Sequence, residues 1–167
     1  MTYTLQEAAK LLKTLNEELA ACNSLEEQQR VFVAATTEKI EDVRPEYDYA
    51  QTRAEKNEIR RKIRIVKHAI NVCNTVTEVP GFDMTIDQLL VLIPQLTADK
   101  NKLYKMMDRL PKRRYESYNK TNLIEYEYAN YDIDAAKADY TAVAQRLIEA
   151  QTVLDRLNGS VTVDIEF

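Results

Sequence analysis

The sequence predicts a mainly α protein: four long antiparallel helices with coiled-coil packing, plus a small two- or three-stranded β-sheet built from strands near 30–36, 122–129 and 160–167. Three observations carry this. Apolar residues recur at alternating steps of three and four through four long stretches, the spacing that lines one side of a helix. Glycine occurs twice and proline four times in 167 residues, too rarely for a turn-rich barrel or a glycine-rich phosphate loop. Three short stretches instead carry β-branched or period-two patterning, as strands do. A chain of this length predicts a single domain over 1–167, large enough to bury a core without staples.

The first helix opens at Thr4, which with Glu7 has capping-box spacing. Ala8, Leu12, Leu15, Leu19 and Cys22 form its seam, and Asn23-Ser24 is expected to end it. Ser24 and Glu27 have the spacing to cap one further short turn. The stretch RVFVAAT at 30–36 has the β-branched and aromatic content of a short strand. A polar loop follows, and the second helix is expected to enter near Pro45, where a missing N–H costs nothing, and to run to about Asn71. Lys56, Ile59, Ile63, Val66, Ile70 and Cys73 make its seam, with a basic block on the other side.

Pro80-Gly81 marks a turn. The third helix opens at Thr85, with Gln88 completing a second capping box, and carries Leu89, Ile93, Leu96, Lys100, Leu103, Met107 and Leu110 on one side. Lys100 interrupts that seam and can snorkel outward. Pro94 is expected to kink the helix or restart it, and Pro111 to end it. In LIEYEY, Ile124, Tyr126 and Tyr128 fall on one strand face, with Leu123, Glu125 and Glu127 on the other. The fourth helix begins around Asp132 to Asp134. Its seam of Ile133, Ala136, Tyr140, Val143, Leu147, Ala150, Leu154 and Leu157 is the cleanest heptad in the chain and spans about 36 Å. Asn158-Gly159 reads as its C-cap. The tail alternates again, with Val161, Val163, Ile165 and Phe167 on one face, and is expected to pair with 30–36, with 122–129 or with another chain.

This layout resembles the septicolysin-like bacterial proteins of unknown function. The similar points are a first helix at 4–22, the Ile70-Asn71 and Asn74-Thr75 pairs, Asp83-Met84-Thr85-Ile86, Arg114-Tyr115-Glu116, a strand at 122–128, and Asp132-Ile133-Asp134 at the last helix's start. Family members close that helix on Asn-Trp, whereas this chain has Asn158-Gly159 and no tryptophan. The resemblance implies a helical coiled-coil fold and oligomers, hints at a cytolysin, and brings no catalytic residues.

Charge is uneven. The net is -4, yet residues 53–68 stand at +5 and 105–120 at +4, which leaves -13 on the remainder. Such patches can steer partners or orient subunits. No basic-then-apolar leader is visible at the start, and the longest apolar run, Leu89 to Pro94, is far shorter than a span. The expected compartment is the cytoplasm, with both cysteines reduced.

Chemistry is sparse. His68, the one histidine, lies off the seam among cations and reads as a solvated or interface side chain. It cannot alone supply a histidine-rich zinc site. Cys22 and Cys73 hold seam positions and read as small core hydrophobes. Glu125, Glu127, Asp132, Asp134 and Asp139 could suggest a metal-dependent hydrolase, but Asp132 and Asp134 are more simply explained by the helix dipole. No catalytic residue, cofactor, metal or small-molecule ligand is inferred.

The excess is in tyrosine, ten residues in all, seven of them within 104–140. They suit an interface or the packing of a strand–helix junction, and less readily base stacking beside the 105–120 basic run. The expected interaction surface is Tyr104, Arg109, Arg113, Arg114, Tyr115, Tyr118, Tyr126, Tyr128 and Tyr131. The leading expectation is a non-enzymatic scaffold that associates with itself as a dimer or higher oligomer. Membrane and nucleic acid are the less expected partners. A membrane-active cytolysin-like protein, a nucleic-acid accessory protein and a small metal-dependent hydrolase are the alternatives.

Overall fold

The structure, a computed structural model, describes residues 1–115 and 124–167. In chain order the elements are β1 (Thr2–Thr4), α1 (Leu5–Gln29), α2 (Ile40–Val43), α3 (Tyr49–Val76), β2 (Glu78–Val79), β3 (Met84–Thr85), α4 (Ile86–Met107), β4 (Lys112–Tyr115), β5 (Glu125–Tyr128), α5 (Ile133–Ser160) and β6 (Thr162–Asp164). The protein is mainly α with small antiparallel sheets. The strands form three two-stranded pairs, β1-β6, β2-β3 and β4-β5, rather than one sheet. The chain divides into two compact units: Met1–Thr77 with Leu157–Phe167, and Glu78–Arg156. Among the described residues, no helix is long and apolar enough to cross a membrane.

In the first unit the Thr4 capping box forms as expected. The Glu7 amide donates to the Thr4 hydroxyl at 3.2 Å, and the Thr4 amide to the Glu7 carboxylate at 2.8 Å. These bonds hold the Glu7 carboxyl below its ordinary range. The helix then continues through Asn23-Ser24 to Gln29, because neither a glycine nor a proline interrupts it. Leu5, Ala8 and Leu15 are buried, and Leu12, Leu19 and Cys22 are half-buried. The next long helix enters at Tyr49 rather than Pro45, since Asp48 supplies the capping oxygen, 2.9 Å from the Gln51 amide. It runs past Asn71 to Val76. Its seam faces α1: Val66 is fully buried, and Lys56, Ile59, Ile63, Ile70 and Cys73 are half-buried. Glu26 near the end of α1 takes an ion pair from Lys56 near the start of α3, so the two helices run antiparallel.

Two strand expectations need correcting here. Residues 30–36 form no strand, and Val33 is 93% exposed. A β-branched segment becomes a strand only when a ladder partner meets it, and the tail is engaged elsewhere. It pairs with the N-terminus, Thr2 against Asp164, Tyr3 against Val163 and Thr4 against Thr162, rather than with 30–36 or 122–129. The Ile165 amide bonds the Met1 carbonyl at 2.9 Å, and the Leu5 amide the Val161 carbonyl at 3.0 Å. Val163 and Ile165 are thereby buried. Asn158-Gly159 lies inside the last turn of α5, which closes with the Val161 amide on the Leu157 carbonyl at 2.8 Å.

The second unit begins with the short β2–β3 pair, Glu78 against Thr85 and Val79 against Met84. Gly81, at φ 81°, makes the turn that Pro80 introduces. The Thr85 amide donates to the Gln88 side chain at 3.0 Å and opens α4. Pro94 sits inside that helix without ending it, and the helix stops at Met107, before the expected Leu110. The rings of Tyr104 and Tyr140 lie 6.0 Å apart, and the Tyr131 hydroxyl donates to the Met106 carbonyl at 2.8 Å. The end of α4 thus meets the start of α5, and this pair is antiparallel too. Every residue of the α5 heptad is buried or half-buried, with Ala136, Leu147 and Ala150 the deepest. Val79, Phe82, Ile86 and Leu89 complete this unit's core.

Candidate interaction surface

The basic and tyrosine-rich stretch becomes an antiparallel ribbon. Lys112 stands opposite Tyr128, Arg113 opposite Glu127, Arg114 opposite Tyr126 and Tyr115 opposite Glu125. The Ala129 amide donates to the Pro111 carbonyl at 3.0 Å and closes its base. Side chains alternate across a strand, so the register sorts the ribbon by chemistry.

One face carries Arg113, Tyr115, Glu125 and Glu127. Arg113 donates its Nε to Glu127 at 2.7 Å, and Arg109, from the turn after α4, pairs with the other oxygen of the same carboxylate. The opposite face carries Lys112, Arg114, Tyr126 and Tyr128 and, among the described residues of the ribbon, no acid. Here the Lys112 ammonium sits 4.0 Å from the Tyr126 ring centre and 5.4 Å from that of Tyr128. Apart from this ammonium the rings remain open: Tyr126 is 47% exposed and Tyr128 61%.

Of the expected surface residues, the structure brings together Arg109, Arg113, Arg114, Tyr115, Tyr126 and Tyr128. Tyr104 and Tyr131 act elsewhere, at the α4–α5 junction through Tyr140 and the Met106 carbonyl. Tyr118, with residues 122–123 of the expected strand, lies outside the described residues. Sequence reasoning passed over Lys112 and Glu127 as members of the surface. The sequence KRRY has no apolar alternation, so strand β4 left no periodic signal, and without β4 its register partners could not be assigned.

The remaining chemical residues fall into simple roles. Asp132 caps α5, accepting from the Asp134 and Ala135 amides at 2.9 and 3.1 Å. Cys22 and Cys73 are unbridged and half-buried, with the Cys73 sulfur 3.5 Å from the Thr77 hydroxyl. His68 is exposed on α3. Among the described residues, no three His, Cys, Asp or Glu side chains converge as a metal site would require.

The chain matches no family model and no curated protein. It is similar in fold to a solved structure described as that of a functionally unknown conserved protein from Corynebacterium diphtheriae. The TM-score is 0.67 at 18% identity, over 98% of this chain and 100% of that one. At this identity the likeness concerns the fold alone.

Proposed function

We propose that this protein is a non-enzymatic helical interaction protein that assembles with copies of itself and presents the β4–β5 ribbon to a partner. The observation that carries the reading is exposed apolar surface on the long helices: Leu90 and Val91 on α4, Ile148 on α5, Val72 and Val76 on α3. These residues lie off the seams that the chain covers for itself. In this reading they are buried in helix–helix contacts between subunits. Unbridged Cys22 and Cys73 suit a reducing, cytoplasmic setting.

Assembly links stability to concentration. The melting temperature should therefore rise across a hundredfold increase in protein concentration. A melting temperature independent of concentration over that range would contradict the proposal.

A further inference from the structure

The geometry points to single-stranded nucleic acid as the ligand of the ribbon face formed by Lys112, Arg114, Tyr126 and Tyr128. The inference rests on reading the ribbon as an interaction surface and adds the class of partner.

Three features of this face converge. The register places both carboxylates of β5 on the opposite face, so among the described residues of the ribbon the tyrosine face holds two cations and no acid. Its two rings are two residues apart on one strand, hence about 7 Å along it, and both stand open to solvent. Lys112 lies within cation–π distance of both rings, and a base that takes its place on the Tyr126 ring frees the ammonium to meet the phosphate joining two stacked bases. Aromatic platforms flanked by cations are how proteins hold single strands without reading their sequence.

Other occupants satisfy only part of this. A second copy of the same face would set like charges against each other. An acidic peptide would meet the cations and leave both rings unstacked. A duplex offers phosphates but keeps its bases stacked inside. The isolated ribbon is itself marginal, and a ligand spanning both strands would stabilise it. A second basic surface exists on α3, where Arg53, Arg60, Arg64 and Lys67 lie exposed along one side. A single exposed ring, Tyr49, lies 5.9 Å from Arg53 there, but no pair of rings shares one cation, and this surface serves as the internal control.

The test is fluorescence anisotropy of a labelled oligothymidine single strand titrated with the full chain, alongside a duplex of equal length and poly-glutamate. The single strand should bind at least tenfold more tightly than either competitor. Tyr126→Ala and Tyr128→Ala should each weaken it about tenfold, whereas Tyr126→Phe and Tyr128→Phe, which keep the rings, should bind like the parent. Replacing Lys112 and Arg114 together by alanine should flatten the slope of log affinity against log salt by about 1.4, the value for two phosphates on a single strand. Arg60→Glu with Arg64→Glu should leave binding unchanged. Absence of binding at low salt, equal affinity for duplex or poly-glutamate, loss of binding in the phenylalanine variants, or loss that follows the α3 variant would each overturn the inference. Molar mass measured on the same samples separates the two readings. Oligomers that ignore the oligonucleotide sink this inference alone, and monomers that bind it sink the self-assembly reading alone.

Discussion

The guanidinium of Arg146, midway along α5, lies 3.7 Å from the centre of the Phe82 ring in the loop between β2 and β3. The same side chain donates to the Gly81 carbonyl at 3.4 Å and pairs with Glu149 at 3.3 Å. One arginine thus ties the turn that precedes α4 to α5, and it shields a buried aromatic from water. A planar cation can stack on a ring while its edges donate, which an ammonium cannot do. Arg146→Ala should lower stability by roughly 0.5–1 kcal/mol, and Arg146→Lys should recover only part of that. Urea denaturation of the two variants checks both.

The first unit carries a corresponding tie between Glu26 and Lys56, at the open end of the α1–α3 pair. The hydrogen bond from Lys56 holds the Glu26 carboxyl below its ordinary value of 4.5, with the hydroxyl of Tyr47 as a second donor. A carboxylate whose folded value is depressed stabilises the fold fully above its unfolded value and loses that contribution as pH falls through the folded one. Lys56→Met should therefore be less stable than the parent at neutral pH. The gap should close as pH drops below 4.5. A gap that stays constant from neutral pH down through that window would show that Lys56 acts by packing instead. Thermal melts at a series of pH values decide the matter.

Neighbouring residues on α5 separate folding from assembly. Leu147 is 6% exposed and Ile148 is 58% exposed. Leu147→Ala removes buried methyl groups and should cost about 2–4 kcal/mol. Ile148→Ala should stay within about 0.5 kcal/mol for the isolated chain. Ile148→Lys should instead reduce self-association, because a charge would enter the contact proposed for that face. Equilibrium denaturation at low concentration, paired with sedimentation velocity, reads the two effects independently.

The helices were legible in the sequence because burial acts on every turn. Each seam residue of α5 from Ile133 to Leu157 is covered, as the three-and-four spacing requires. The seams of α1 and α3 are covered in the same way. Helix ends were less legible. Asn23-Ser24 can stop a helix, but α1 has helical continuation available and takes it, and Asn158-Gly159 lies within α5 for a similar reason. The strands were hardest, since pairing joins distant residues. Thr2 to Thr4 are too few to show a period, and their partner lies at the other end of the chain. The stretch 30–36 has strand composition and no strand, because composition supplies side chains and not a ladder. Within the candidate surface, the alternation of Tyr126 and Tyr128 with Glu125 and Glu127 could be read directly. The cations opposite them became visible only once β4 fixed the register.

Light scattering coupled to size-exclusion chromatography tests the central claim most directly, because it weighs the particle in solution without assuming its form. Burial of the apolar residues exposed on the long helices between copies of the chain predicts a mass of at least twice 19.3 kDa. A single peak at 19.3 kDa, unchanged as concentration rises, would contradict it.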